Sequence, residues 1–129
     1  MGYRVITPDE HAWETRPHAD GEPARHVAEL SDDAGMQHVR ANVWRYEPGA
    51  AGRRHRHPTQ DETFVVLSGT LSIYLGDAAT RRDVRAGSLV HVAAGTALQS
   101  VNHGDDDLTV YAHGWPAEDH HAELLPSVV

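Results

Sequence analysis

Two histidines separated by a single residue, His55 and His57, with Glu62 shortly after them, are the side chains in this sequence whose types and spacing best suit chemistry. Alternate residues of a strand share a face, so the two imidazoles stand side by side, and Glu62 can bring a carboxylate to the same side after a turn. Two imidazoles and one carboxylate are the donor set of mononuclear non-haem iron, and similar sets hold zinc, manganese, nickel or cobalt. Composition removes much of the competing chemistry. The 129 residues contain no cysteine, and all eleven basic residues are arginine. There is therefore no thiol for a thioester, disulfide or iron–sulfur cluster and no side-chain amine for a Schiff base. Histidine occurs eleven times, and its imidazole is both the commonest metal ligand and an acid or base near neutral pH. In a chain so rich in histidine, an H-x-H pair alone is more readily a solvated turn.

The flanking glycines change that weighing. Gly49, five residues, His55, one residue, His57, four residues, Glu62, six residues and Gly69 form one fixed pattern. From this composition it should arise by accident in about one chain in a few thousand. The pattern resembles the first motif of the cupin superfamily, and the sequence is similar to a small single-domain cupin over about residues 37–113. The resemblance implies an antiparallel double-stranded β-helix, a jelly-roll barrel, with the motif residues inside it and a divalent metal on His55, His57 and Glu62. The second motif of the family is matched only in part. Gly87, Gly95 and Asn102 stand in its positions, but Ala93 replaces a proline and Leu98 replaces the histidine that is the family's fourth ligand. Three readings follow. The metal is held by three protein ligands with more positions open; another group is recruited; or the metal is lost and the pocket kept. Candidates for recruitment are Gln60, His91, His103 and His113, with Asp61 as a competing carboxylate. Gln99 has the wrong parity if Leu98 faces inward.

The elements that must position these groups read as strands. Valine outnumbers leucine, which suits a pleated sheet. From Gln37 onward, short apolar runs alternate with glycine-bearing turns, predicting strands near 39–46, 62–67, 71–75, 82–85, 88–92, 96–102 and 108–113. So many strands in so few residues leave no room for crossover helices, so the fold class is all-β and antiparallel. Residues 1–36 read as a polar arm, with a capped helix start at Thr7-Pro8-Asp9-Glu10 and an edge strand near 25–30. Residues 114–129 read as a tail with one short helix ending at Pro126. The whole is one domain, 1–129.

For a substrate pocket, Arg53 shares the parity of the two histidines and suits a carboxylate, while Phe64, Val66, Ile73, Tyr74 and Leu98 offer an apolar lining. Ser100 and Asn102 share the parity of Leu98. A metal with open positions polarises a bidentate oxygen ligand, and if it is iron it activates dioxygen. The resemblance implies a dioxygenase, isomerase or decarboxylase. The alternative is a non-enzymatic module binding a sugar-like or apolar ligand over a degenerate or empty metal site. A formal charge of −8 argues against nucleic acid. No apolar run approaches the roughly 20 residues of a membrane span and no leader-like start is seen, so a cytoplasmic protein is expected. Exposed sheet edges, and the habit of small cupins, point to a homodimer.

Overall fold

The computed structural model describes residues 2–117 and 122–129. Eleven strands make up nearly all of its regular structure: β1 (Glu14–Thr15), β2 (Arg25–Glu29), β3 (Arg40–Tyr46), β4 (His55–Arg56), β5 (Asp61–Ser68), β6 (Thr70–Leu75), β7 (Thr80–Arg85), β8 (Leu89–Val92), β9 (Leu98–Val101), β10 (Leu108–Trp115) and β11 (Glu123–Leu124). They form two antiparallel sheets, a six-stranded one in the order β1-β2-β3-β10-β5-β8 and a five-stranded one in the order β11-β4-β9-β6-β7. From β3 onward the chain passes repeatedly from one sheet to the other, winding the two layers into the expected double-stranded β-helix.

Period-two alternation builds the core. On β10, Leu108, Val110 and Ala112 are buried while Thr109, Tyr111 and His113 alternate to the outside. Phe64 and Val66 of β5 join them from the same sheet, and Leu71, Ile73 and Leu98 meet them from the other. At Gly69 the chain crosses from β5 to β6 with φ +79°, and a Cβ there would lie 2.7 Å from the Asp107 carbonyl oxygen. This glycine of the motif therefore serves the barrel's closure.

Four expectations are corrected at the chain's two ends. The helix start at Thr7 exists, with the Thr7 N–H donating to Glu10 Oε1 at 3.1 Å, but it yields only a 3-10 turn, Pro8–Glu10. The segment expected as an edge strand, RHVAEL, is β2; it pairs with β3 along five residues and is itself covered by β1, so the first sheet begins well inside the supposed arm. A one-turn helix, α1 (Ser31–Ala34), follows it. The expected tail helix falls partly on residues 118–121, outside the described residues, and Glu123–Leu124 is a strand pairing with β4 instead.

The tail then seals the outer face of β9. Gln99 faces away from the barrel, as its parity requires, yet it is 1% exposed. Its Nε2 donates to the Gly52 carbonyl and to Ser127 Oγ, and its Oε1 accepts from the Val128 N–H, each at 2.9 Å. Among the described residues no helix is long and apolar enough to cross a membrane.

Gly69→Ala should destabilise more than Gly76→Ala. Both positions have positive φ, but nothing lies within 4 Å of a Cβ at Gly76. The left-handed conformation costs each variant ~1–2 kcal/mol, and the clash at Gly69 adds ~1–3 kcal/mol for overpacking. Urea unfolding of the two variants measures the difference; equal losses would show that the backbone at Gly69 yields freely.

Candidate functional site

The two sheets each supply part of one cluster. His55 lies on β4 and His57 just beyond it, both in the second sheet's path, while Glu62 lies on β5 of the first. His55 Nε2 is 3.1 Å and His57 Nε2 2.8 Å from the same atom, Glu62 Oε1. The three side chains are 21%, 20% and 16% exposed, so the cluster is mostly withdrawn from water but still reachable. On the far side of His55, Nδ1 is 2.9 Å from the Arg53 carbonyl oxygen. A carbonyl only accepts, so Nδ1 carries a proton and Nε2 is the nitrogen left to face Glu62.

Burial alone would raise the Glu62 carboxyl, but hydrogen bonds from the His55 and His57 rings, with the charges of both, outweigh it and hold it down to about 2. Burial opposes protonation of His55 too. It is overcome by the hydrogen bonds to Glu62 and to the Arg53 carbonyl and by the Glu62 charge, so His55 titrates above its ordinary range although the Arg25 charge opposes this. A centre that holds a proton this firmly between imidazole and carboxylate also offers a cation two nitrogens and an oxygen.

The residues fit a metal ion. Among the described residues this is the one group of three His, Cys, Asp or Glu side chains whose ligand atoms all lie within 4.8 Å of one another. Adjacent ligands bonded at ~2.1 Å around one ion stand ~3 Å apart, close to the separations seen here. Leu98 of β9 is the cross-strand partner of His55 and is buried against the same space. No other described histidine replaces the missing imidazole. His91 bonds Thr63 on the outer face at 2.9 Å; His103 bonds Tyr74; and the ring of His113 meets Tyr111 edge-on. Asp61 turns away to accept the Ala94 N–H at 2.8 Å.

The cluster opens into a cavity of about 510 Å³. Arg53, Phe64, Leu98 and Ser100 border it as expected from sequence. Four expected lining residues do not: Val66 and Ile73 are packed in the core, and Tyr74 and Asn102 lie elsewhere. Tyr74 has the opposite parity to buried Ile73 and points outward, where its hydroxyl is 3.0 Å from His103 Nε2. Asn102 is fully buried as a loop clamp: its Nδ2 donates to the Tyr46 and Asp106 carbonyls and its Oδ1 accepts the Gly104 N–H. Gln60, expected in a turn, is buried beside the cavity, donates to the Pro116 carbonyl at 3.0 Å, and lies so close over Gly114 that no Cβ would fit there.

The wall missed in the sequence comes from β2 and β3. Arg40, Asn42, Trp44 and Tyr46 alternate with buried Ala41 and Val43 and face the cavity, joined by Arg25 and, from the segment before it, Arg16. The alternation was visible in VRANVWRY, but its polar and aromatic members would ordinarily be assigned to solvent.

The comparisons match this architecture. The family model described as a cupin domain matches residues 42–114. The chain belongs to the cupin family. An uncharacterized conserved protein with a double-stranded β-helix domain from Klebsiella pneumoniae subsp. pneumoniae MGH 78578 shares 24% identity over 96% of this cupin and 98% of that chain, with a TM-score of 0.73. A sugar phosphate isomerase of the cupin superfamily from Silicibacter pomeroyi DSS-3 shares 26% identity over 88% of this chain and 76% of its own, with a TM-score of 0.75. A predicted oxalate decarboxylase from Thermotoga maritima has the same fold at 18% identity over 88% of this chain and 100% of its own, with a TM-score of 0.76. Among curated proteins no sequence relative matches.

The cupin's charged cluster sets its pH response in chelator. A histidine whose folded pKa is raised stabilises fully below its unfolded value of about 6.5 and loses that stabilisation as pH rises through the folded value. A carboxyl whose folded pKa is lowered stabilises above its unfolded value of about 4.5 and loses that as pH falls toward about 2. Metal-free wild type should therefore lose stability as pH rises above about 6.5 relative to Glu62→Gln, in which His55 has lost its charged partner. Parallel thermal unfolding curves for the two chains across this range would contradict the coupling.

Proposed function

We propose that this cupin binds one divalent metal through His55 Nε2, His57 Nε2 and Glu62 Oε1 and takes a small organic ligand in the adjoining cavity, as a metal-dependent enzyme of the dioxygenase, isomerase or decarboxylase type. The observation that carries the reading is the meeting of both imidazole nitrogens on one carboxylate oxygen, at 3.1 and 2.8 Å, at the wall of a cavity of about 510 Å³. That volume lies within the ~300–1,000 Å³ of small-molecule sites. Iron, manganese, zinc, nickel and cobalt all suit the donor set. When bound, the ion supplies Lewis-acid polarisation of an oxygen ligand. The protein's own groups do the rest: the Arg53 carbonyl fixes the His55 tautomer, Phe64 and Leu98 keep water from one side, and Ser100 offers a hydroxyl to the ligand. The sugar phosphate isomerase at 26% identity makes a sugar-type substrate one member of the ligand class.

The second reading, a binding module that retains its ligand without turnover, rests on Leu98. With an apolar side chain opposite His55, the protein supplies three ligands and leaves the remaining positions to solvent or ligand.

We also propose that two copies of the chain pair through the outer face of the first sheet. There Leu89, Val65 and Tyr111 are successive cross-strand neighbours, an apolar row open at Leu89, which is 64% exposed, and already covered within the chain where it reaches Val43 and Ala28. Light scattering at micromolar concentration should give twice the chain mass, and Leu89→Asp should shift it toward the monomer. A monomeric wild type would refute the pairing.

Titration of chelator-treated protein should end at one ion per chain. It should stabilise the fold by RT ln(1 + [L]/Kd), about 2.7 kcal/mol at a hundredfold excess over Kd, and His57→Ala should abolish both effects. Because Leu98 faces His55, Leu98→His should tighten metal binding about tenfold or more, equivalent to about 1.4 kcal/mol. Unchanged melting with and without metal, in wild type and His57→Ala alike, would refute the metal reading; unchanged affinity in Leu98→His would mean the fourth position is not where Leu98 stands.

A further inference from the structure

The cavity is more cationic than the chain that encloses it. The protein carries a formal charge of −8, yet four of its eleven arginines, Arg16, Arg25, Arg40 and Arg53, border this one cavity, and among the described residues the one lining carboxylate is Glu62. Glu62 is already engaged by two histidines. Arg16 pairs with Glu14 at 2.9 Å and Arg40 reaches Glu29 only at 3.9 Å, both away from the cluster. Among the described residues no carboxylate lies within 4.0 Å of Arg25 or Arg53.

Arg25 is the best placed of the four. Its guanidinium carbon sits 5.3 Å from the centroid of the Trp44 ring and 5.9 Å from that of Tyr46, and Arg16 sits 5.9 Å from the same Trp44 ring. The two arginines are tied together by the backbone, the Arg16 N–H donating to the Arg25 carbonyl at 2.9 Å. Packing on aromatic faces fixes a guanidinium's plane and occupies its apolar surface, while its five N–H donors leave room for a planar, bidentate partner. Two cations gathered at one indole repel each other, and an anion between them relieves that repulsion. Arg25 and His55 border the same cavity.

On the reading that this cavity takes a small organic ligand, we propose that Arg25, held on Trp44 and assisted by Arg16 and Arg53, anchors an oxyanion of that ligand, a carboxylate or a phosphate, and so turns the ligand's other end toward His55, His57 and Glu62. The substrate class is then small acids or phosphate esters, excluding their neutral analogues. An Arg fork gives such a ligand both orientation and charge complementarity, and the cationic mouth raises its local concentration over the acidic surface outside.

Calorimetric titration of the full chain with two matched pairs tests this: glucose 6-phosphate against glucose, and succinate against succinamide. At least one anion should bind about tenfold or more tightly than its neutral twin, with affinity falling as salt is raised from about 50 to 300 mM. The phosphate pair and the carboxylate pair together distinguish the two sources of the oxyanion. Arg25→Gln should bring the anion close to its twin while metal content stays unchanged. Arg25→Lys should restore only part, since an ammonium lacks the fork, and the exposed Arg53→Gln should cost a smaller factor. No discrimination in either pair, or discrimination untouched by both Arg25→Gln and Arg53→Gln, would overturn the proposal. The same titrations on chelator-treated protein separate it from the metal reading. A chain that takes up no ion yet discriminates in an Arg25-dependent way keeps the anchor and defeats the metal; one that takes up an ion and fails to discriminate defeats the anchor alone.

Discussion

A carboxylate held between two imidazoles at the wall of an apolar barrel is the interaction on which the rest of the structure depends. Burying Glu62 without partners would cost several kcal/mol, and it is tolerated because both Nε2 atoms converge on its Oε1. The convergence requires two sheets in fixed relation, since the imidazoles arrive from the β4 segment and the carboxylate from β5. A one-residue slip of β5 against β10 would turn Glu62 to the outer face and bring Thr63 inward. What looks like packing detail is therefore part of the site. The tight crossing at Gly69 closes the barrel behind Glu62, and Gly114, paired with Glu62 across β10, is bare because Gln60 lies over it.

The two ends of the chain complete that arrangement. β2 brings Arg25 against Trp44, and the segment before it brings Arg16 and Pro17 to the cavity, while Ala122 and Leu124 border it from the tail. Ser127 and Val128 then cap Gln99 on the back of β9, the strand that presents Leu98 to His55. Among the described residues, an acidic protein thus lines this space with four arginines and one carboxylate, the latter engaged by the two histidines.

Most of the barrel was legible in sequence because its signal is local. Alternation with glycine turns located seven strands to within a few residues, and the spacing from Gly49 to Gly69 singled out His55, His57 and Glu62 before any geometry was known. Parity also placed Gln99 outward. What escaped depends on contacts distant in sequence. β2 was expected as a strand, but as an edge; it is an inner strand because β1 pairs with it on the side away from β3. β11 exists through two residues opposite β4. Tyr74 was grouped with Ile73 as lining although neighbours on a strand cannot share a face. The arginine and tryptophan wall was hidden by the ordinary expectation that charged members of an alternating strand face water, an expectation that fails where the inner face is a wet cavity and not a packed core. Leu98 was the departure from the family pattern most visible in sequence, and in three dimensions it stands directly across from His55.

Anomalous diffraction from a crystal of the tag-free protein grown with one of the candidate metals, recorded at that metal's absorption edge, tests the central claim most directly. The account predicts one strong peak per chain, ~2.0–2.2 Å from His55 Nε2, His57 Nε2 and Glu62 Oε1. A map with no peak at that point, or with its strongest peak on other histidines of the chain, would contradict it.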